Sequence, residues 1–224
     1  VTYPGEITRQ NSTCGKIATT ATQVNYSCLV RLAYFDAAGD WNITASVGDS
    51  GGLTAENKSM NFTYNQLSAF VISPASLAFN SLTPGGTNTT GTTALLLNNT
   101  GNKNITSGNI QVNATDLDGE IASTLSIYAG NFSVGITTGS SLECGGATNQ
   151  SATMSRGLFT NITNATLPRG NHTENNNNTG LEQLFFCVLK AGSELTSQAY
   201  STASEGSWTT KILAGLLFVP NLVG

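Results

Sequence analysis

Short runs rich in Val, Ile, Thr, Tyr and Phe, parted by clusters of Gly, Asn, Ser and Pro, recur along most of this 224-residue chain. That rhythm decides the fold class, because such runs between turn residues read as strands. The runs are 24–35 (VNYSCLVRLAYF), 40–47 (DWNITASV), 59–64 (SMNFTY), 68–73 (SAFVIS), 93–98 (TALLLN), 108–115 (SGNIQVNAT), 131–136 (NFSVGI), 181–189 (LEQLFFCVL) and 207–214 (SWTTKILA). In 40–47, Trp41, Ile43, Ala45 and Val47 fall on one face, with Asn42 and Thr44 on the other. A period of two marks a half-buried strand. Helical periodicity is nearly absent, and 121–129 is the one segment suited to a short helix or turn. Nine strands at this spacing predict an all-β chain: an immunoglobulin-like or jelly-roll-like β-sandwich, one domain over 1–224.

Charge does not keep this surface wet. Asp, Glu, Lys and Arg make up 10% of the residues, against roughly a quarter in ordinary soluble domains. The net charge of −4 offers no basic face for nucleic acid or anionic lipid. Asparagine-linked sugar is the substitute. Asn-X-Ser/Thr occurs 15 times, at Asn11, Asn25, Asn42, Asn57, Asn61, Asn88, Asn98, Asn104, Asn113, Asn131, Asn149, Asn161, Asn164, Asn171 and Asn177. With 24 Asn, and with 54 of 224 residues Ser or Thr, random placement would form about 6 such sites. The excess predicts surface glycosylation in a secretory or extracellular compartment.

The four cysteines agree with that location. Cys14, Cys28, Cys144 and Cys187 show no CxxC spacing, which argues against zinc or a thioredoxin-type role. Pairing between chain neighbours, Cys14–Cys28 and Cys144–Cys187, is favoured; the rival is Cys28–Cys187, an inter-sheet bridge near Trp41. The chain opens at Val1 without a charged apolar leader, so a secretory signal is expected to have been removed. Residues 137–180 hold few large apolar groups and end in ENNNNTG, predicting a long sugared surface excursion with two short strands near 157–166. The end is the opposite. Ile212 to Gly224 (ILAGLLFVPNLVG) carries no charge, and no sequon occurs in the 47 residues after Asn177. It is too short to span a membrane, and Pro220 would interrupt a helix. Its Ile212, Leu213, Leu216, Leu217, Phe218, Val219, Leu222 and Val223 need a burial site, and the expectation is a neighbouring subunit.

Motifs for chemistry are few. Gly48-Asp49-Ser50-Gly51-Gly52 spells a protease-like nucleophile motif, but that chemistry needs a histidine base before the serine. The one histidine, His172, follows it by more than a hundred residues, so the motif reads as a turn. Asp116, Asp118 and Glu120 alternate along the chain and are a weak candidate for Ca²⁺ against a plain solvated turn. Asp36 and Asp40 are a weaker version. Trp41 and Trp208 read as core anchors rather than sugar-stacking platforms. No phosphate loop, dinucleotide fingerprint or metal-spaced His/Cys cluster occurs. The expectation is no enzyme, no catalytic residue and no cofactor beyond N-linked glycans.

The segments WNITASVGDSGG, NFTYNQLSAFVISPASLAFNSLTPGGTN and LLLNNTGNKNITSGNIQVNATDLDGE, with Phe186-Cys187, Gln198-Ala199-Tyr200 and Ser207-Trp208-Thr209, resemble archaeal cell-surface sandwich glycoproteins over most of 25–211. More loosely, the chain resembles subunits of archaeal extracellular filaments: bundling pili, threads and their bacterial TasA-like relatives. The resemblance implies a sandwich completed by a strand donated from the next copy of the chain. Those relatives usually donate an N-terminal strand, whereas here the more apolar terminus is the C-terminal one. The functional expectation is a structural subunit of an extracellular filament or pilus, a homopolymer without a membrane span in the mature chain. The alternative is an adhesin or surface-layer domain whose apolar tail folds back on its own sandwich.

Overall fold

A computed structural model describes every residue except Glu6, 137–143, 145–150, 172–174, 176–177, 214–218 and 223–224, with backbone alone for Ser151 and for 219–222. The chain is all-β, with its strand pairs antiparallel and a single 3₁₀ turn, Ala129–Asn131, among the described residues. Each of the nine predicted runs contains a strand, although their limits shift. The run at 24–35 pairs only over Val24–Ser27, and the one at 59–64 lengthens to Thr54–Tyr64. Segment 121–129 is a turn leading into the short strand Ser126–Ile127.

One sheet of the sandwich is built on the ten-residue strand Leu181–Lys190. Phe132–Gly135 lies along one side of it, with Ser151–Thr153 beyond. Leu95–Asn99 and Thr87–Thr90 pair with successive stretches of the same strand, and Phe70–Ser73 follows Leu95–Asn99. The opposing sheet runs Phe159–Asn161, Ile110–Asn113, Trp208–Ile212, Val219–Leu222. A smaller sheet of Ser126–Ile127, Leu117–Gly119 and Tyr200–Ser201 closes one end.

Alternation explains which side chains turn inward. Leu95, Leu97 and Asn99 are buried while Leu96 and Asn98 are half-buried; Trp208, Thr210 and Ile212 alternate likewise with Thr209 and Lys211. Both sheets feed one apolar cluster that runs from Phe70 to Ile212. Phe132 of one sheet meets Trp208 of the other edge-on at 5.0 Å, and Phe186 meets the same indole at 5.9 Å. Such ring pairs add about 0.5–1.5 kcal/mol beyond the area they bury. Trp41 and Trp208 are thus core anchors, each indole N–H donating to a carbonyl, of Ala37 and of Thr115.

The expected surface excursion at 137–180 needs correction over its second half. Met154, Ile162, Ala165 and Leu167 are essentially fully buried in the main cluster. Phe159–Asn161 adds to the edge of Ile110–Asn113, and Leu167 exchanges backbone hydrogen bonds with Ile105. Single apolar residues spaced through a polar segment reach the core by that pairing.

The first 64 residues form a separate arm. Gly39–Gly48 and Thr54–Tyr64 make a long hairpin, edged by Thr2–Tyr3 and Ile7–Thr8. At its base Trp41 is buried between Tyr3 and Phe62, with centroids at 5.7 and 6.3 Å. Beside it Asp36, fully buried, accepts a two-pronged contact from Arg9 at 2.5 and 2.9 Å and a third bond from the Ala33 amide. Asn102 anchors the connection that leads from the arm into the sandwich: its Oδ1 accepts from the Leu67 amide and its Nδ2 donates to the Asn65 carbonyl. Gly101 beside it leaves no room for a side chain, since a Cβ would lie 2.2 Å from the Leu67 carbonyl oxygen.

Candidate glycan and assembly surfaces

The sequon asparagines sort cleanly by exposure. Thirteen are described, and none is buried; Asn149 and Asn177 lie outside the described residues. Nine of the thirteen are exposed, while Asn98, Asn113, Asn131 and Asn171 are half-buried. Among the described residues the buried asparagines are two that carry no sequon, Asn99 and Asn102. Asn99 spends its Nδ2 on the carbonyls of Lys103, Leu167 and Pro168, a structural role that excludes sugar. Asn42 and Asn61 face each other across the long hairpin, on the side opposite Trp41. Cβ atoms of such a pair lie about 4.5–5.5 Å apart, so two glycans there would stand side by side.

The disulfides are Cys14–Cys28 and Cys144–Cys187, the neighbour pairing. Cys14–Cys28 staples a second ribbon, Gly15–Thr19 paired with Val24–Ser27, exposed along its whole length. Cys144–Cys187 ties Cys144 to the strand Leu181–Lys190.

The motifs examined for chemistry resolve into structure. Asp49 Oδ1 accepts from the amides of Gly51 and Leu53, so Gly48–Gly52 is the turn of the long hairpin, with Gly52 at φ +86°. His172 lies outside the described residues. Asp116, Asp118 and Glu120 do not converge. Asp116 accepts from the Ala129 amide and lies 3.6 Å from Arg156, which also pairs with Glu205. Asp118 accepts from the hydroxyls of Ser126 and Ser204, which hold its carboxyl below the usual carboxylate range, Ser126 contributing most. The Glu120 side chain is exposed, and its amide donates to the Ala199 carbonyl. Among the described residues no three His, Cys, Asp or Glu side chains stand as a metal-binding group. Asp36 and Asp40 also diverge, the first to Arg9 and the second to the Thr63 hydroxyl.

The C-terminal segment departs from expectation. Ile212, expected at a subunit interface, is a buried core residue, while Leu213 is exposed. Val219 and Leu222 pair through their backbones with Thr210 and Trp208 of the same chain, extending the second sheet. Leu216, Leu217, Phe218 and Val223 lie outside the described residues. A strand with an apolar face can satisfy its backbone on its own chain's sheet edge as readily as on another's.

No strand run or motif foreshadows the groove of the sandwich. Segments 77–84 and 195–202 stand apart over an open groove of about 610 Å³, whose floor includes Phe132 and Trp208. Leu77, Leu82, Leu117, Ile127 and Leu195 line it, no charged residue does, and no lining residue is a sequon asparagine. The signal lay in 77–82, where Leu77, Phe79 and Leu82 sit in what reads as a loop. Among the described residues no helix is long and apolar enough to cross a membrane. No family model, no curated protein and no solved structure matches this chain.

Proposed function

We propose that this chain is a structural subunit of an extracellular, N-glycosylated filament or pilus, polymerising with copies of itself when a strand of one subunit completes the open groove of the next. The observation that carries the reading is the groove itself. On a chain whose surface is otherwise dense in glycan acceptors, it presents half-buried Phe79 and Leu82 and exposed Ala78, Pro84 and Ala199 above the buried core residues Phe132 and Trp208. An inserted segment gains backbone pairing and side-chain burial together. A head-to-tail contact between two different patches of one chain propagates into a helical array wherever its rotation does not close a ring. Two disulfides and accessible sequons support an extracellular setting.

A second reading is a cell-surface adhesin or surface-layer domain. The C-terminal strand favours it, since that strand closes on its own sheet. Electron microscopy of material from the producing cell separates the two. Long uniform fibres are expected; isolated particles or a planar lattice would overturn the filament reading.

A further inference from the structure

The ribbon closed by Cys14–Cys28 is a two-stranded element with every residue of both strands exposed. Isolated two-stranded hairpins are marginal in water, and this one shows Val24 at 45% and Tyr26 at 57% exposure. Its register sorts its side chains. Tyr26 stands opposite Lys16 and Val24 opposite Thr19, while the sequon Asn25 stands opposite Ala18. Side chains alternate along a strand, so Val24, Tyr26 and Lys16 share a face, and Asn25 points a glycan to the other. One face is apolar, basic and bare of sugar.

The groove has the complementary character. Segments 74–86, 114–132 and 191–207, which build it, contain Asp116, Asp118, Glu120, Glu194 and Glu205 and not one Lys or Arg. Asp116 and Glu205 pair with Arg156, and Asp118 is held by Ser126 and Ser204, which leaves Glu120 and Glu194 as the exposed acids. Glu194 immediately precedes the lining residue Leu195, and Glu120 is bonded through its amide to the lining residue Ala199. Residues 11–35, by contrast, hold Lys16 and Arg31, both exposed, and no acid.

Resting on the filament reading, we infer that the stapled ribbon of one copy docks through Val24, Tyr26 and Lys16 on the apolar, acid-rimmed groove of a second copy. The groove receives the two apolar side chains and the rim meets the basic ones. The disulfide holds the ribbon in its docking shape beforehand, which lowers the ordering cost of association. Because ribbon and groove are different patches of one chain, each docked copy still offers a free groove or ribbon.

The test uses the full glycosylated chain under assembling conditions, with a photo-crosslinking amino acid in place of Tyr26. Irradiation should join copies, and the linked peptides should map to 77–84 or 195–202 of another copy. Independently, Lys16→Glu with Arg31→Glu should slow assembly about tenfold at low salt. Adding Glu120→Lys and Glu194→Lys to that same chain should restore the rate. Fibres whose crosslinks from position 26 map elsewhere, or whose groove holds the N-terminal or C-terminal segment of another copy, overturn this inference and leave the filament reading standing. So does a charge reversal that leaves the rate unchanged or that the second pair fails to rescue. Unmodified protein that never forms fibres overturns both.

Discussion

The sandwich and the N-terminal arm share one β-rich sequence style and reach order by different means. In the sandwich, facing sheets bury an apolar cluster from Phe70 to Ile212, with Leu95, Leu97, Ile110, Phe132 and Leu184 wholly covered. In the arm, the buried set among the described residues is Phe35, Asp36, Ala37 and Trp41, and the outer half of the long hairpin is exposed on both faces. The cause is layering: a sheet with a second sheet against it buries alternate residues, and a lone ribbon buries none. The arm therefore depends on discrete fasteners, an ion pair and a disulfide, where the sandwich depends on area.

That contrast can be broken by substitution. Phe132→Ala removes a fully buried ring that touches Phe79 and Trp208. It should cost about 3–5 kcal/mol, read as a lower denaturant midpoint for the sandwich. Arg9→Ala leaves the buried Asp36 carboxyl without its guanidinium partner. A cost of about 3 kcal/mol is expected, confined to the arm: hydrogen exchange should quicken at residues 33–41 and hold steady at 95–99. Equal acceleration in both regions would refute their independence. Cys14→Ser with Cys28→Ser opens a short loop whose closure is worth about 3 kcal/mol in the chain-entropy account. Limited proteolysis should then cut 15–27 first, with the sandwich still resistant.

The smallest effects come from pH and carry opposite signs in the two regions. In the arm, burial raises the Tyr34 and Tyr64 hydroxyls above the ordinary tyrosine value, with Asp36 adding to the rise at Tyr64. The folded arm favours the neutral phenols, so their contribution is full below about pH 10 and is lost above it. In the sandwich, Asp118 is lowered by its serine bonds. Its contribution is full above about pH 4 and is lost as pH falls through the depressed value. Tyrosine absorbance and the chemical shifts of 117–119, followed across pH, check both.

Much of the sandwich was legible in the chain. All nine strand runs contain strands because short runs of apolar, β-branched and aromatic residues between turn residues fit a half-buried or buried strand. Accessibility of the sequons was legible for the same reason: Asn42 alternates with Trp41 and Ile43, so burying one face presents the other. Other features depend on distant pairing. Ile162 and Leu167 sit in a polar stretch, and only their places beside Ile110 and Ile105 show that they belong to the core. The groove belongs to no single segment; it exists because 77–84 and 195–202 stand apart. The C-terminal strand was legible as apolar but not as to partner, since its own sheet and another copy's answer the same need.

Hydrogen–deuterium exchange, compared between the free chain and assembled fibres, tests the division between a self-sufficient sandwich and an arm completed by another copy. In the free chain, amides of Val24–Ser27 should exchange fast and those of Leu95–Asn99 and Leu181–Lys190 slowly. In fibres, Val24–Ser27 and the groove segments 77–84 and 195–202 should gain protection together, while the central strands stay as they were. A ribbon already protected in the free chain, or one that exchanges equally fast in fibres, would contradict the account.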